Sequence, residues 1–392
     1  MAKAILTLNA GSSSIKFALF EIGSDPKRIA HGAIERIGEA PHFQGFDCDD
    51  KLITERRWDH GTSLSHEDLL GPLLDWAERH QGDDALAGVG HRIVHGGPDF
   101  ANPVRLDPPI VGALDKLIPF APLHQPHNLA AIRAITALRP DLPQIGCFDT
   151  GFHQNMPEVA THLPLPSRYH DAGVRRYGFH GLSYEYIAKR FAILAPTLAG
   201  GRVIAAHIGN GASACAMLDG KSIDTSMGFT AIDGLMMGTR TGALDPGVVL
   251  YMAQQERLDP AAISQLLYSE SGLLGVSGVS SDMRTLLASD TPHASLAVAM
   301  FCRRAAREIA ALTVSLGGLD ALIFTAGIGE HAPPIRAAIG KALAHFGLAI
   351  DGAANDGNGP VISTPVSRVT AWVIPTDEEA MIAHHTMTLL QK

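Results

Sequence analysis

Apolar residues in this chain fall either in short dense runs or at spacings of three and four. Residues 5–8 and 15–20 are rich in β-branched and aromatic side chains and flank Gly11-Ser12-Ser13-Ser14, so they predict a hairpin. Leu69, Leu70, Leu73, Leu74 and Ala77 recur at helical spacing, with Ser65 placed to cap the helix. Residues 89–94 read as a strand that ends at Gly96-Gly97, 127–138 as a helix and 144–148 as a buried strand. Further on, 183–194 predict a helix, 203–207 a strand entering a second glycine-rich turn, and 294–316 a long alanine-rich helix. Residues 321–325 and 369–374 read as strands, and 377–390 as a closing helix. The class is α/β throughout.

One pattern occurs twice. Leu8-Asn9-Ala10-Gly11-Ser12-Ser13-Ser14 and His207-Ile208-Gly209-Asn210-Gly211-Ala212-Ser213 each end a strand, turn on small residues with Asn and Gly nearby, and enter a second strand. Two similar domains facing one ligand would explain the spacing of half a chain; a chance likeness of two glycine hairpins is the alternative. No low-complexity linker separates the halves, and the boundary is expected near residue 150.

Composition narrows the class of partner. A chain of 392 residues with 46% hydrophobic and 18% charged residues suggests two or three domains with sizeable cores. Glycine numbers 40, where average usage gives roughly 27, with no Gly-X-Y period. The surplus points to tight turns or to backbone approaching a ligand. A net charge of −9 argues against a nucleic-acid or anionic-membrane binder, yet leaves room for a small anion held by a few arginines. Cys48, Cys147, Cys215 and Cys302 lie far apart with no CxxC, as free thiols in a reducing cytoplasm would. No signal peptide and no apolar run long enough to span a membrane is read, so the expected location is cytoplasmic.

Several segments carry candidate chemistry. The Gly-Ser hairpin with Lys16 offers backbone N–H groups, hydroxyls and a cation to phosphate oxygens; an ordinary turn with a solvated lysine is the alternative. It is not a P-loop. Ala326-Gly327-Ile328-Gly329-Glu330 follows a strand but lacks the third glycine of a dinucleotide fingerprint. Arg92 ends an apolar strand and Arg240 lies between glycines, and guanidinium forks match carboxylate and phosphate; surface ion pairs are the competing reading. Asp149 ends a buried strand, where a catalytic carboxylate or a helix cap would sit. His180 is held between glycines ahead of a helix, while His384 and His385 on the closing helix read as histidines without a chemical role.

Taken in order, segments 7–16, 91–97, 148–154, 177–181, 207–211, 236–241, 280–284 and 326–330 resemble the acetate kinases, a family within the acetate and sugar kinase, Hsp70 and actin superfamily. The resemblance covers nearly the whole chain. It implies two duplicated actin-like, ribonuclease H-like α/β domains, 1–150 and 151–377, with a cleft between them and helix 378–392 returning to the first. It implies a homodimer that uses ATP and Mg²⁺, with Mn²⁺ as a substitute, to phosphorylate acetate reversibly to acetyl phosphate. By the same resemblance Asn9 and Glu378 match metal positions, with Glu379 adjoining. Arg92, Asp149, His180 and Arg240 match the catalytic set, Arg92 also binding substrate. Val94, Leu123, Phe179 and Ala231 match the acyl pocket. Ser12, Ser14, Lys16, His207, Ile208, Gly209, Asn210, Gly211, Asp282, Met283, Arg284, Gly327, Ile328, Gly329, Glu330 and His331 match nucleotide contacts.

Three positions depart from the family pattern: His331 stands where Asn is usual, Pro98 replaces an acidic residue, and Ala231 replaces the pocket proline. Chemically, acetate is ionised at neutral pH, so its attack on a phosphoryl group needs no general base. Asp149 is therefore expected to hold Mg²⁺ or orient an arginine. A covalent phosphoenzyme is the competing mechanism, a propionate or short-chain acyl kinase the competing substrate reading, and an actin- or Hsp70-like ATPase switch the competing class.

Overall fold

The first apolar run forms β1 (Ala4–Ala10), and Gly11 donates its N–H to the Ser14 carbonyl as the chain turns into β2 (Ser14–Glu21). In the computed structural model, residues 4–11, 13–59, 64–80 and 86–391 are described. The chain divides into two units, Met1–Gly151 with Asp377–Lys392, and Phe152–Thr376.

In the first unit the meander continues through β3 (Lys27–Glu35), β4 (His42–Asp47) and β5 (Leu52–Arg57). On the other side of β1 lie β6 (Leu86–Ile93) and β8 (Gln144–Phe148), both parallel to it, with the short β7 (Val104–Arg105) at the edge, giving the order β5-β4-β3-β2-β1-β6-β8-β7. Helix His66–Arg79 starts at a capping box in which Ser65 and Asp68 bond each other's backbone, an arrangement that satisfies two otherwise orphaned donors. Its Leu69, Leu70, Leu73 and Trp76 pack on Leu6, Leu8 and Phe17 from one face of the sheet. The other face receives helix Glu378–Leu390, whose Ala383 meets Ala18 and Phe20. Gly90 allows this approach, since a Cβ there would lie 2.3 Å from Thr386 Oγ1.

The second unit repeats the plan with fewer strands. Its sheet runs β11 (Lys221–Thr225), β10 (Ala212–Leu218), β9 (Arg202–Ile208), β12 (Ala321–Thr325), β13 (Thr370–Val373). Like β1, β9 has an antiparallel hairpin partner on one side and a parallel strand on the other. The two glycine hairpins noticed in the sequence thus occupy the same place in two sheets. They are not equivalent residue by residue, because Ala10 pairs with Ile15 across four residues and Ile208 with Ala212 across three. Helix Gly181–Leu194 packs Tyr184, Ile187 and Phe191 on Val203, Ala205 and Cys215, each large side chain contributing about 1.5–3 kcal/mol by burial. The long helix Pro292–Leu316 is capped by Thr291 and ends at Gly317.

Burial pushes the pKa values of His91, His95 and His153 down from 6.5 to about 4. These rings are neutral when folded but would take up protons below about 6.5 when unfolded. The unfolded chain then binds more protons, so stability falls as pH drops from about 6.5 toward 4. The melting temperature should accordingly decline through that window; a flat profile across it would show that these histidines do not govern acid stability.

Candidate active site

In the first unit, adjacent parallel strands bring three sequence-predicted residues together. Asn9 lies near the end of β1, Arg92 near the end of β6 and Asp149 directly after β8. Arg92 Nε is 3.0 Å from both Asp149 oxygens, and Arg92 Nη2 is 2.5 Å from Oδ2. Arg92 Nη1 donates to Asn9 Oδ1 at 3.1 Å, and Glu378 Oε2 is 3.6 Å from Arg92 Nε. The pair is not a surface ion pair: Asp149 is fully buried and the Arg92 side chain is 19% exposed. Burial works against the Arg92 charge, but Asp149 and Glu378 hold its pKa above the usual value, so it remains a cation. Both Asp149 oxygens fix the guanidinium fork.

Around this pair the carboxylates outnumber the cations. Glu378 opens helix Glu378–Leu390, beside Glu379. Burial, and then the neighbouring Glu378 charge, push Glu379 above the ordinary carboxyl range, with Lys16 partly offsetting them. Lys16 is exposed and stands opposite Asn9 in the β1–β2 register, so both project on one face. Ser14 begins β2, whereas Ser12 lies outside the described residues. Val94 is buried and its N–H donates to Asn128 Oδ1, while Leu123 is 41% exposed.

In the second unit His180 and His207 stack with ring centroids 4.1 Å apart and planes 13° from parallel. His180 is the N-cap of helix Gly181–Leu194 and is held in the left-handed region at φ 59°, ψ 26°. Its Nδ1 is 2.9 Å from Ser213 Oγ, which is 2.5 Å from the Tyr184 hydroxyl. His207 Nδ1 is 2.9 Å from Ser183 Oγ, which reaches Thr376 Oγ1 at 2.8 Å. Arg240 Nη1 donates to the Ala231 carbonyl at 2.9 Å. A Cβ on Gly211 would stand 3.4 Å from His180 Nε2 and 3.9 Å from Arg240 Nη1, so ring, fork and glycine backbone converge. Gly238 closes the same corner, because a Cβ there would overlap Asn210 Oδ1. Phe179 is buried and Ala231 half-buried.

A cavity of about 600 Å³ opens in this unit, lined by Gly209, Asn210, Ser281–Arg284, Gly327, Ile328, His331 and Ala332. Eight predicted nucleotide positions border it. His207, Ile208, Gly211, Gly329 and Glu330 do not, and Ile208 is wholly buried. Two of the predicted carboxylates serve the backbone. Asp282 caps helix Met283–Leu287 through Thr285 N–H, and Glu330 accepts from Ala326 N–H and Thr376 N–H. Sequence reasoning overlooked Ser183, Tyr184, Ser213, Ser281 and Ala332 as neighbours of these sites. Ser183 and Tyr184 stand three and four residues past His180, a helical spacing that could have flagged them.

Comparison with known proteins places this geometry. The profile of the acetokinase family matches residues 4–384. A protein named acetate kinase from Rhodopseudomonas palustris is 52% identical over 396 residues, covering 99% of each chain. The crystal structure of an acetate kinase from Porphyromonas gingivalis superposes with TM-score 0.87 at 38% identity, covering 99% of this chain and 100% of that one. The crystal structure of a propionate kinase from Francisella tularensis superposes with TM-score 0.91 at 36% identity, covering 98% of each. No described helix is long and apolar enough to cross a membrane.

Proposed function

The chain belongs to the acetokinase family, and on that premise we propose that it transfers the γ-phosphoryl group of ATP reversibly and directly to acetate, giving acetyl phosphate and ADP. The convergence of His180 Nε2 and Arg240 Nη1 on Gly211, beside a glycine-bordered cavity, carries this reading. Two anions must meet, so the obstacle is electrostatic and the remedy is preorganised positive charge and N–H donors. Arg92 in the first unit and Arg240 and His180 in the second supply them, with Arg92 also binding the carboxylate of acetate. The cavity in the second unit takes the nucleotide, and resemblance alone assigns Ser14 and Lys16 to phosphate.

The oxygen donors Asn9, Asp149 and Glu378, with several carboxylates sharing one arginine, suit a hard divalent cation. No ready cluster of three His, Cys, Asp or Glu ligands occurs among the described residues, so these side chains would hold Mg²⁺, or Mn²⁺, jointly with the phosphates. When bound, the cation neutralises phosphate oxygens. The chain works as a homodimer in this reading: helix Pro246–Gln254 leaves Leu250 and Tyr251 each 57% exposed, and such apolar surface favours a partner.

By resemblance, Val94, Leu123, Phe179 and Ala231 are the residues assigned to the methyl group of acetate. One methylene is worth only about 1–3 kcal/mol in an apolar pocket, and Ala231 in place of proline leaves space. Propionate should therefore be used appreciably, with acetate preferred. Hydroxylamine trapping of acyl phosphate, with ATP, Mg²⁺ and acetate, propionate or butyrate, tests both points. Hydroxamate formed fastest from acetate is expected. No hydroxamate from any acid would overturn the activity, and a propionate kcat/KM more than about tenfold above that of acetate would reverse the substrate order.

A further inference from the structure

Transition-state stabilisation by an imidazole depends on which nitrogen carries the proton. His180 turns Nε2 toward Gly211 and Nδ1 toward Ser213. We propose that Ser213 and Tyr184 are positioning residues for phosphoryl transfer, a hydroxyl relay that keeps His180 neutral with its proton on Nε2, as a hydrogen-bond donor to the transferring group. The inference rests on the phosphotransfer reading for its effect on rate, but not for the proton arrangement itself.

The arrangement follows from counting protons. The Tyr184 hydroxyl is fully buried, and burial pushes its pKa well up, so it keeps its proton. Its hydroxyl has Ser213 Oγ as hydrogen-bond partner. The phenol proton is then directed to Ser213 Oγ, 2.5 Å away. Ser213 is wholly buried on β10 and has one proton. With Tyr184 donating to it, that proton points to His180 Nδ1 at 2.9 Å, which must accept. A neutral ring accepting at Nδ1 carries its hydrogen on Nε2. The ring plane is fixed as well: the backbone of His180 is held at positive φ, and the ring lies flat on His207. The reverse arrangement, with Nδ1–H donating to Ser213, would present a lone pair to an anionic phosphoryl group and repel it.

Selective ¹⁵N-histidine labelling, with two-bond nitrogen–proton correlation spectra, reads the tautomer directly. His180→Gln identifies the signal. In the parent chain His180 should show a protonated Nε2 and an unprotonated Nδ1. In Ser213→Ala the preference should be lost, and kcat should fall about tenfold or more while KM for ATP and for acetate moves less than about twofold, the pattern of a lost transition-state interaction. Tyr184→Phe removes only the terminal donor and should move both readouts the same way, less far; it also decides the case if Ser213→Ala does not fold. A proton on Nδ1 in the parent chain, or a folded Ser213→Ala with either tautomer or kcat unmoved, would overturn the relay. A parent chain that forms no acyl phosphate would instead sink the phosphotransfer reading, and the tautomer would then decide the relay alone.

Discussion

Arg240→Ala should lower kcat by about a hundredfold or more if, as proposed, its fork stabilises the negative charge that develops in transfer. The melting temperature should change little. Arg240 is half-buried, and water can replace its hydrogen bond to the Ala231 carbonyl in the variant. Arg240→Lys should recover little activity, since an ammonium cannot reproduce the planar fork. Steady-state kinetics with acetate and ATP, alongside thermal melts, check this. A folded Arg240→Ala retaining a third or more of parent kcat would remove Arg240 from the catalytic set.

The contrast with Arg92 shows what could be read from the sequence. Arg92 ends an apolar strand and Arg240 lies between glycines, and segment resemblance assigns both to the catalytic set, Arg92 also to substrate. Only folding reveals that Arg92 is locked by Asp149, Asn9 and Glu378, which are 57, 83 and 286 residues away. The dense apolar runs were legible because strands in a parallel sheet are buried on both faces: 144–148 and 321–325 coincide with β8 and β12. The amphipathic helices were legible from spacing and caps, and Ser65 does cap helix His66–Arg79. The outer meander β3–β5 was not, because its exposed strands, such as Leu52–Arg57, carry too many charges to show an apolar run. At the site, glycines announce where backbone approaches a ligand. Serine and tyrosine hydroxyls one layer deeper look like ordinary polar residues until the sheet and helix bring Ser213 and Tyr184 onto one imidazole.

Asp149→Ala carries the largest expected effect, on stability and turnover together. Asp149 is fully buried and chelates Arg92 through both oxygens. Taking away one partner of a buried pair leaves the other charge uncompensated, at a cost of about 3–5 kcal/mol. Turnover should fall by on the order of a thousandfold, because Arg92 loses its orientation and the site loses an oxygen donor. Proton abstraction does not explain the loss, since acetate arrives ionised. A double-mutant cycle separates the two roles. If Asp149 acts mainly by holding Arg92, the double variant Arg92→Ala/Asp149→Ala should be hardly slower than Arg92→Ala alone. It should also melt higher than Asp149→Ala, because no stranded guanidinium remains. Losses in kcat that multiply fully would show that Asp149 works independently of Arg92, on the metal or on a proton, and would reject the positioning role.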